Sequence, residues 1–130
     1  MVLKKSLVIV VILLLATMTA LAQESIAVGD SVTASGSGTE LEYVLDASEG
    51  DELVIDAVSE DFDTYLRILD AEGETVTFDD DSGDRLNAQV IFTVPADGSY
   101  TIVITEAYGD ELTGDVSLSV MNAADMPTEE

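Results

Sequence analysis

Residues 87–104 read NAQVIFTVPADGSYTIVI. Val90, Phe92 and Val94 alternate with Gln89, Ile91 and Thr93. After a short connection, Tyr100, Ile102 and Ile104 alternate with Thr101, Val103 and Thr105. A period of two puts alternate side chains on one face of an extended chain, so each half predicts a strand with an apolar inner face. Pro95 and Gly98 mark the tight connection between them.

The same period continues outward in both directions. Leu41, Tyr43 and Leu45 alternate with Glu42 and Val44, and residues 53–58 are rich in Val and Ile. Residues 64–70 place Leu66 and Ile68 on one face, with Tyr65, Arg67 and Leu69 on the other. Ala71-Glu72-Gly73-Glu74 reads as a hairpin turn before a short strand over 75–78. Downstream, Val116, Leu118 and Val120 alternate with Ser117 and Ser119. Residues 25–38 read as a loose edge strand and turn, and residues 106–114 as a polar loop. This is a pattern of seven or eight short strands at regular spacing with no convincing helix, and it predicts an all-β sandwich or barrel. Tyr43, Phe62, Phe78, Phe92 and Tyr100 are the aromatics expected to anchor its core.

The chain opens MVLKKSLVIVVILLLATMTALA. Lys4 and Lys5, an apolar run over 7–16 and the small residues of Ala20-Leu21-Ala22 make the three parts of a secretory signal peptide, with cleavage expected before Gln23. The competing reading is a retained anchor. The 17 residues of 6–22 are at the short edge of a bilayer span and include Thr17 and Thr19. The expected division is a signal peptide over 1–22, one β-domain over 23–121 and a disordered acidic tail over 122–130. Localisation is then secreted or periplasmic, with no stable membrane anchor after cleavage.

The 130 residues contain no cysteine and no histidine. That excludes thiol and Ser-His-Asp catalysis, lipoprotein anchoring, thiolate clusters and imidazole metal sites. All 27 acidic residues lie after residue 22, against only Arg67 and Arg85, a formal −25 for that part of the chain. Such a charge repels nucleic acid and makes the fold sensitive to salt. With so many carboxylates, pairs at glycosidase spacing arise by chance and carry no information. The chain is read as a non-enzyme.

Three stretches carry a family pattern: FDTYLRILDAEGETVTFDDDSG at 62–83, NAQVIFTVPADGSYTIVI at 87–104 and TGDVSLSV at 113–120. Together they resemble the bacterial pre-peptidase C-terminal domain. The shared features are an Asp-containing strand ending in Leu-Asp, a Gly turn, a double-Asp loop, Pro-x-x-Gly-x-Tyr and a last alternating strand. Val116 departs from it, standing where the family often has an aromatic. The resemblance implies a jelly-roll-like β-sandwich. Members of the family usually trail secreted peptidases and are removed during maturation or hold the enzyme at a surface, and related collagen-binding domains bind calcium. No peptidase accompanies the domain in this sequence, so the expectation is a free-standing exported copy.

Asp79, Asp80, Asp81 and Asp84 crowd a Gly-containing loop whose oxygens suit Ca²⁺. The spacing is not that of an EF-hand, and an acid from another loop, Glu60, Asp61 or Asp63, would have to join them. The alternative is a solvated turn whose Asp side chains accept local backbone N–H groups. Arg67 is expected to pair with a cross-strand carboxylate. Three functions stay open. One is an accessory domain, aided by Ca²⁺, that binds an extracellular polysaccharide or protein through exposed Tyr65 or Tyr108. Another is a structural or salt-adapted envelope protein with no discrete ligand, and the third is a separately encoded companion of a secreted peptidase.

Overall fold

The computed structural model describes residues 24–80 and 87–126, so the signal peptide expected over 1–22 lies outside the described residues. Nine strands run in chain order: β1 Glu24–Ser25, β2 Ser31–Ser35, β3 Glu40–Ala47, β4 Glu52–Val58, β5 Thr64–Leu69, β6 Thr75–Asp79, β7 Ala88–Thr93, β8 Gly98–Glu106 and β9 Asp115–Asn122. They form one sheet in the order β1-β3-β8-β5-β6 and another in the order β2-β9-β4-β7. Leaving β1 aside, consecutive strands alternate between the two sheets except at the β5–β6 hairpin. This is the double Greek key of a jelly roll. Every pairing is antiparallel except that of β1 with β3, which is parallel. The sequence reading is therefore short by one strand or two. The two-residue β1 has no alternation to read.

The inner faces meet as the period of two requires. Leu45, Leu66, Ile68, Ile102 and Ile104 from one sheet face Leu53, Ile55, Val90, Val116, Leu118 and Val120 from the other. Phe92 and Tyr100 pack edge to face with ring centroids 5.5 Å apart, and the Tyr100 hydroxyl donates to the Ala96 carbonyl at 2.6 Å. Truncating one such fully buried leucine or isoleucine to alanine costs about 2–5 kcal/mol.

One expectation about faces needs correction, and one outward residue is buried. Phe78 is not a core aromatic: it is 61% exposed, because it pairs with Arg67 on the outer face of β5. Val103 was read as outward and does point outward, yet it is buried, since the register sets it between the long side chains of Glu42 and Arg67. At the end of the domain, β9 runs on to Asn122, and Ala123–Asp125 form a turn of 3-10 helix where the sequence shows no pattern.

The crossing from β4 to β5 is held by Ser59. Its buried hydroxyl donates to the Asp115 carbonyl at 2.7 Å and accepts from the Asp61 and Phe62 amides at 3.0 and 3.3 Å. Asp61 then accepts the Asp115 amide at 2.8 Å, against the face of Gly114. Gly114 has φ +96°, and a Cβ there would fall on the Asp61 side chain. Glycine is required at this point twice over, by conformation and by space.

Candidate functional site

The outer face of the five-stranded sheet is where the exposed aromatics gather. The register aligns Glu40, Thr105 and Tyr65 across β3, β8 and β5, and beside them Glu42, Val103, Arg67 and Phe78. Since successive residues of a strand alternate faces, Glu40 and Glu42 share this side with Tyr65 and Arg67. Tyr65 and Phe78 stand with ring centroids 6.0 Å apart and planes tilted by 56°.

Beyond β8 the chain turns over this face and brings Tyr108 to it. Ala107 donates its amide to the Asp63 carbonyl at 2.8 Å, which fixes the loop to the start of β5. Glu106 folds back so that its Oε1 accepts the amides of Tyr108 at 2.6 Å and Asp110 at 3.0 Å. The Gly109 amide donates to the Glu106 carbonyl at 3.0 Å, closing the turn. Tyr108 is thereby held with its side chain 83% exposed. Tyr65, Tyr108, Glu40, Arg67 and Thr105 line one open groove of about 460 Å³.

The electrostatics of the groove are uneven. Arg67 Nη2 lies 4.0 Å from Glu40 Oε1, at the limit of an ion pair. It reaches over β8 to β3, one strand further than the cross-strand partner expected from sequence. The hydrogen bond with Glu42 pushes the Glu40 carboxyl above its ordinary range, and slight burial and the Glu42 charge add to this. Arg67 opposes the shift without cancelling it. Two neighbouring carboxyls therefore hold a proton more readily than either would alone. The groove offers aromatic faces for stacking, carboxylate acceptors for hydrogen bonds or cations, and one guanidinium donor.

The structure brings Tyr65 and Tyr108, the expected ligand contacts, into this one groove. The expected metal ligands are placed differently. Asp79 ends β6, and its Oδ2 accepts the Gln89 amide at 3.0 Å, which ties β6 to β7 of the other sheet. Asp80 follows it, toward the end of the sheet where Asp63 precedes β5. Asp81 and Asp84 lie outside the described residues. Among the described residues, no three Asp or Glu side chains are grouped to hold a metal ion.

Glu40, Glu42, Phe78 and Glu106 are the site residues that the sequence reading missed. The first two had a signal: Glu at i and i+2 of a strand must share a face. Glu106 had none, because its role depends on how the following loop turns. A second hollow of about 300 Å³ lies at the β4–β5 crossing, lined by Ser59, Glu60, Asp61 and Asp115. The bonds made there by Ser59 and Asp61 hold the crossing together.

The family model for the bacterial pre-peptidase C-terminal domain matches residues 31–106. The match includes Glu40, Tyr65 and Arg67 and stops before Tyr108. Among solved structures, the chain is similar to the pre-peptidase C-terminal domain of a Bacillus anthracis collagenase. The TM-score is 0.62 at 13% identity, covering 75% of this chain and 93% of that one. It is also similar to the periplasmic inhibitor of g-type lysozyme, PliG, from Aeromonas hydrophila. Here the TM-score is 0.54 at 17% identity, covering 76% of this chain and 99% of that one. At such identities the likeness is one of fold. None of the curated proteins matches the chain.

Proposed function

We propose, from the premise that this chain belongs to the bacterial pre-peptidase C-terminal domain family, that it is an exported, non-catalytic accessory domain that binds a polysaccharide or protein surface. The observation that carries this reading is the convergence of Tyr65 and Tyr108 on one solvent-open groove with Glu40 and Arg67 beside them. Tyr108 is 83% exposed and Tyr65 half-buried beside it, and an aromatic surface held in water gains from being covered. The rigid sheet fixes Tyr65, and the Glu106 turn fixes Tyr108, so little ordering remains to be done when a ligand arrives. The fold neighbour PliG is an inhibitor of g-type lysozyme, and a protein-binding role on this fold supports the reading.

The test is retention of the exported protein on insoluble polysaccharides and on fibrous proteins, beside the double variant Tyr65→Ala/Tyr108→Ala. The reading expects the wild type to be retained on at least one matrix and the variant to be released. Equal retention of both would move the binding surface away from this groove. The calcium-assisted form of the reading is tested separately by titration calorimetry with Ca²⁺, Mg²⁺ and NaCl. Saturable, stoichiometric Ca²⁺ binding lost in Asp79→Asn/Asp80→Asn supports it. Smooth stabilisation by any salt favours instead the salt-adapted envelope protein.

A further inference from the structure

We propose that the groove is a receptor for a cation, and that its occupant is a lysine or arginine side chain on a basic protein segment. The inference rests on the groove being the binding surface and adds the chemistry of what enters it. Three observations converge.

The first is local charge. Glu40 and Glu106 line the groove, with Glu42 next to Glu40 on the same face, and Arg67 is the one basic residue among them. Arg67 stands 4.0 Å from Glu40, at the outer limit of ion pairing. It leaves the two neighbouring carboxylates with net negative charge. A second cation between them and solvent relieves a repulsion that the free protein carries.

The second is the aromatic lining. Tyr65 on β5 and Tyr108 on the loop after β8 both line the groove, and Tyr108 is 83% exposed. An aromatic face beside carboxylates suits an ammonium or guanidinium group. The third is the field of the whole chain. Its formal net charge of −23 draws a basic partner in and repels an anionic one.

The test is an NMR titration of the exported protein at about 0.15 M NaCl, where exposed charges more than about 8 Å apart are largely screened. Three probes are used: hexalysine, a glucosamine hexamer and neutral cellohexaose. The expected result is saturable perturbation of Tyr65, Tyr108 and Glu40 by hexalysine. Glu40→Gln/Glu42→Gln should weaken that binding about tenfold, the effect of two partly screened ion pairs. Glu72→Gln/Glu74→Gln removes the same charge from the β5–β6 turn and should weaken it less than about twofold. Equal weakening by the two double variants would mean diffuse attraction and overturn the proposal. Tighter binding of the glucosamine hexamer than of hexalysine would overturn the choice of a protein partner. Cellohexaose binding at Tyr65 and Tyr108 without hexalysine would overturn the cation and leave the groove as a binding site. Failure of all three probes to perturb Tyr65 and Tyr108 would overturn both the cation and the groove.

Discussion

Glu106→Ala should loosen the groove without unfolding the sandwich. The Glu106 carboxylate accepts two backbone amides, from Tyr108 at 2.6 Å and Asp110 at 3.0 Å. A hydrogen bond to a charged group is worth about 1.5–3 kcal/mol where water is excluded. These two are open to solvent, and screening brings each toward the surface range of about 0.5–1 kcal/mol. The pair together then holds the turn by about 1–2 kcal/mol, a factor of about 5–30 in the closed-to-open ratio. The loss should be local, because the Ala107 and Gly109 amides keep their own partners and the core is untouched. Amide hydrogen exchange reads it directly. Tyr108 and Asp110 should exchange about 5–30 times faster in the variant, while Ile102 and Ile104 in β8 keep their protection. Glu106→Gln keeps a neutral acceptor and should fall between. Unchanged exchange at Tyr108 and Asp110 in Glu106→Ala would refute the claim that this carboxylate holds Tyr108 in place.

Gly114→Ala should cost about 2–4 kcal/mol, from the positive φ and from overpacking against Asp61, read as a fall in the urea midpoint. Asp61→Ala in the same background should recover part of it. A neutral Gly114→Ala would show that the crossing has room the structure does not show. Glu42→Gln should lower the Glu40 pKa toward its ordinary value, followed by carboxyl ¹³C shifts, since the largest cause of its elevation is the Glu42 hydrogen bond. The sign follows from the shift. A carboxyl whose folded pKa is raised favours the fold while protonated, and its contribution is lost as pH rises through that pKa, in a window above 4.5. An unmoved Glu40 would place the cause elsewhere. Unfolding midpoints should be higher in 1 M than in 10 mM NaCl, where the screening length changes from about 3 to about 30 Å. Equal midpoints would mean that the formal charge of −23 does not act as self-repulsion.

The sandwich was legible because its strands are half-buried. Val90, Phe92, Tyr100, Ile102 and Ile104 point inward as the period of two required. What the period cannot tell is which residues of an outer face will be covered by neighbours on other strands. Val103 is buried because Glu42 and Arg67 lie on either side of it, a fact of register. Phe78 was misplaced because an aromatic in a strand was assumed to be core. Its partner Arg67, on the outward set of β5, already pointed the other way. Half of the groove was readable in the same manner. Tyr108 lies in a polar loop and Tyr65 on a strand whose sequence fits either a core or an exposed position; the structure makes Tyr65 half-buried, and no spacing in the sequence says that residue 108 returns to residue 65.

The acidity looked like the most distinctive property of the chain, and the structure divides it into two kinds. Most of the hydrogen-bonded carboxylates work on their own backbone. Asp70 accepts the amides of Glu72 and Glu74 in the β5–β6 turn, Asp97 accepts that of Glu49, and Asp30 that of Ala27. These acids serve the turns of a fold made of short strands, where each loop has amides that no strand can satisfy. Glu40 and Glu42 are of the other kind. They lie on the outer face at the start of β3, beside each other and near Tyr65 and Arg67, and the carboxyl of Glu40 is raised first by its hydrogen bond with Glu42. Turn formation explains the first kind and leaves the second unexplained. A carboxyl pair on a rigid outer face is the better guide to function than the far denser run of aspartates after Phe78.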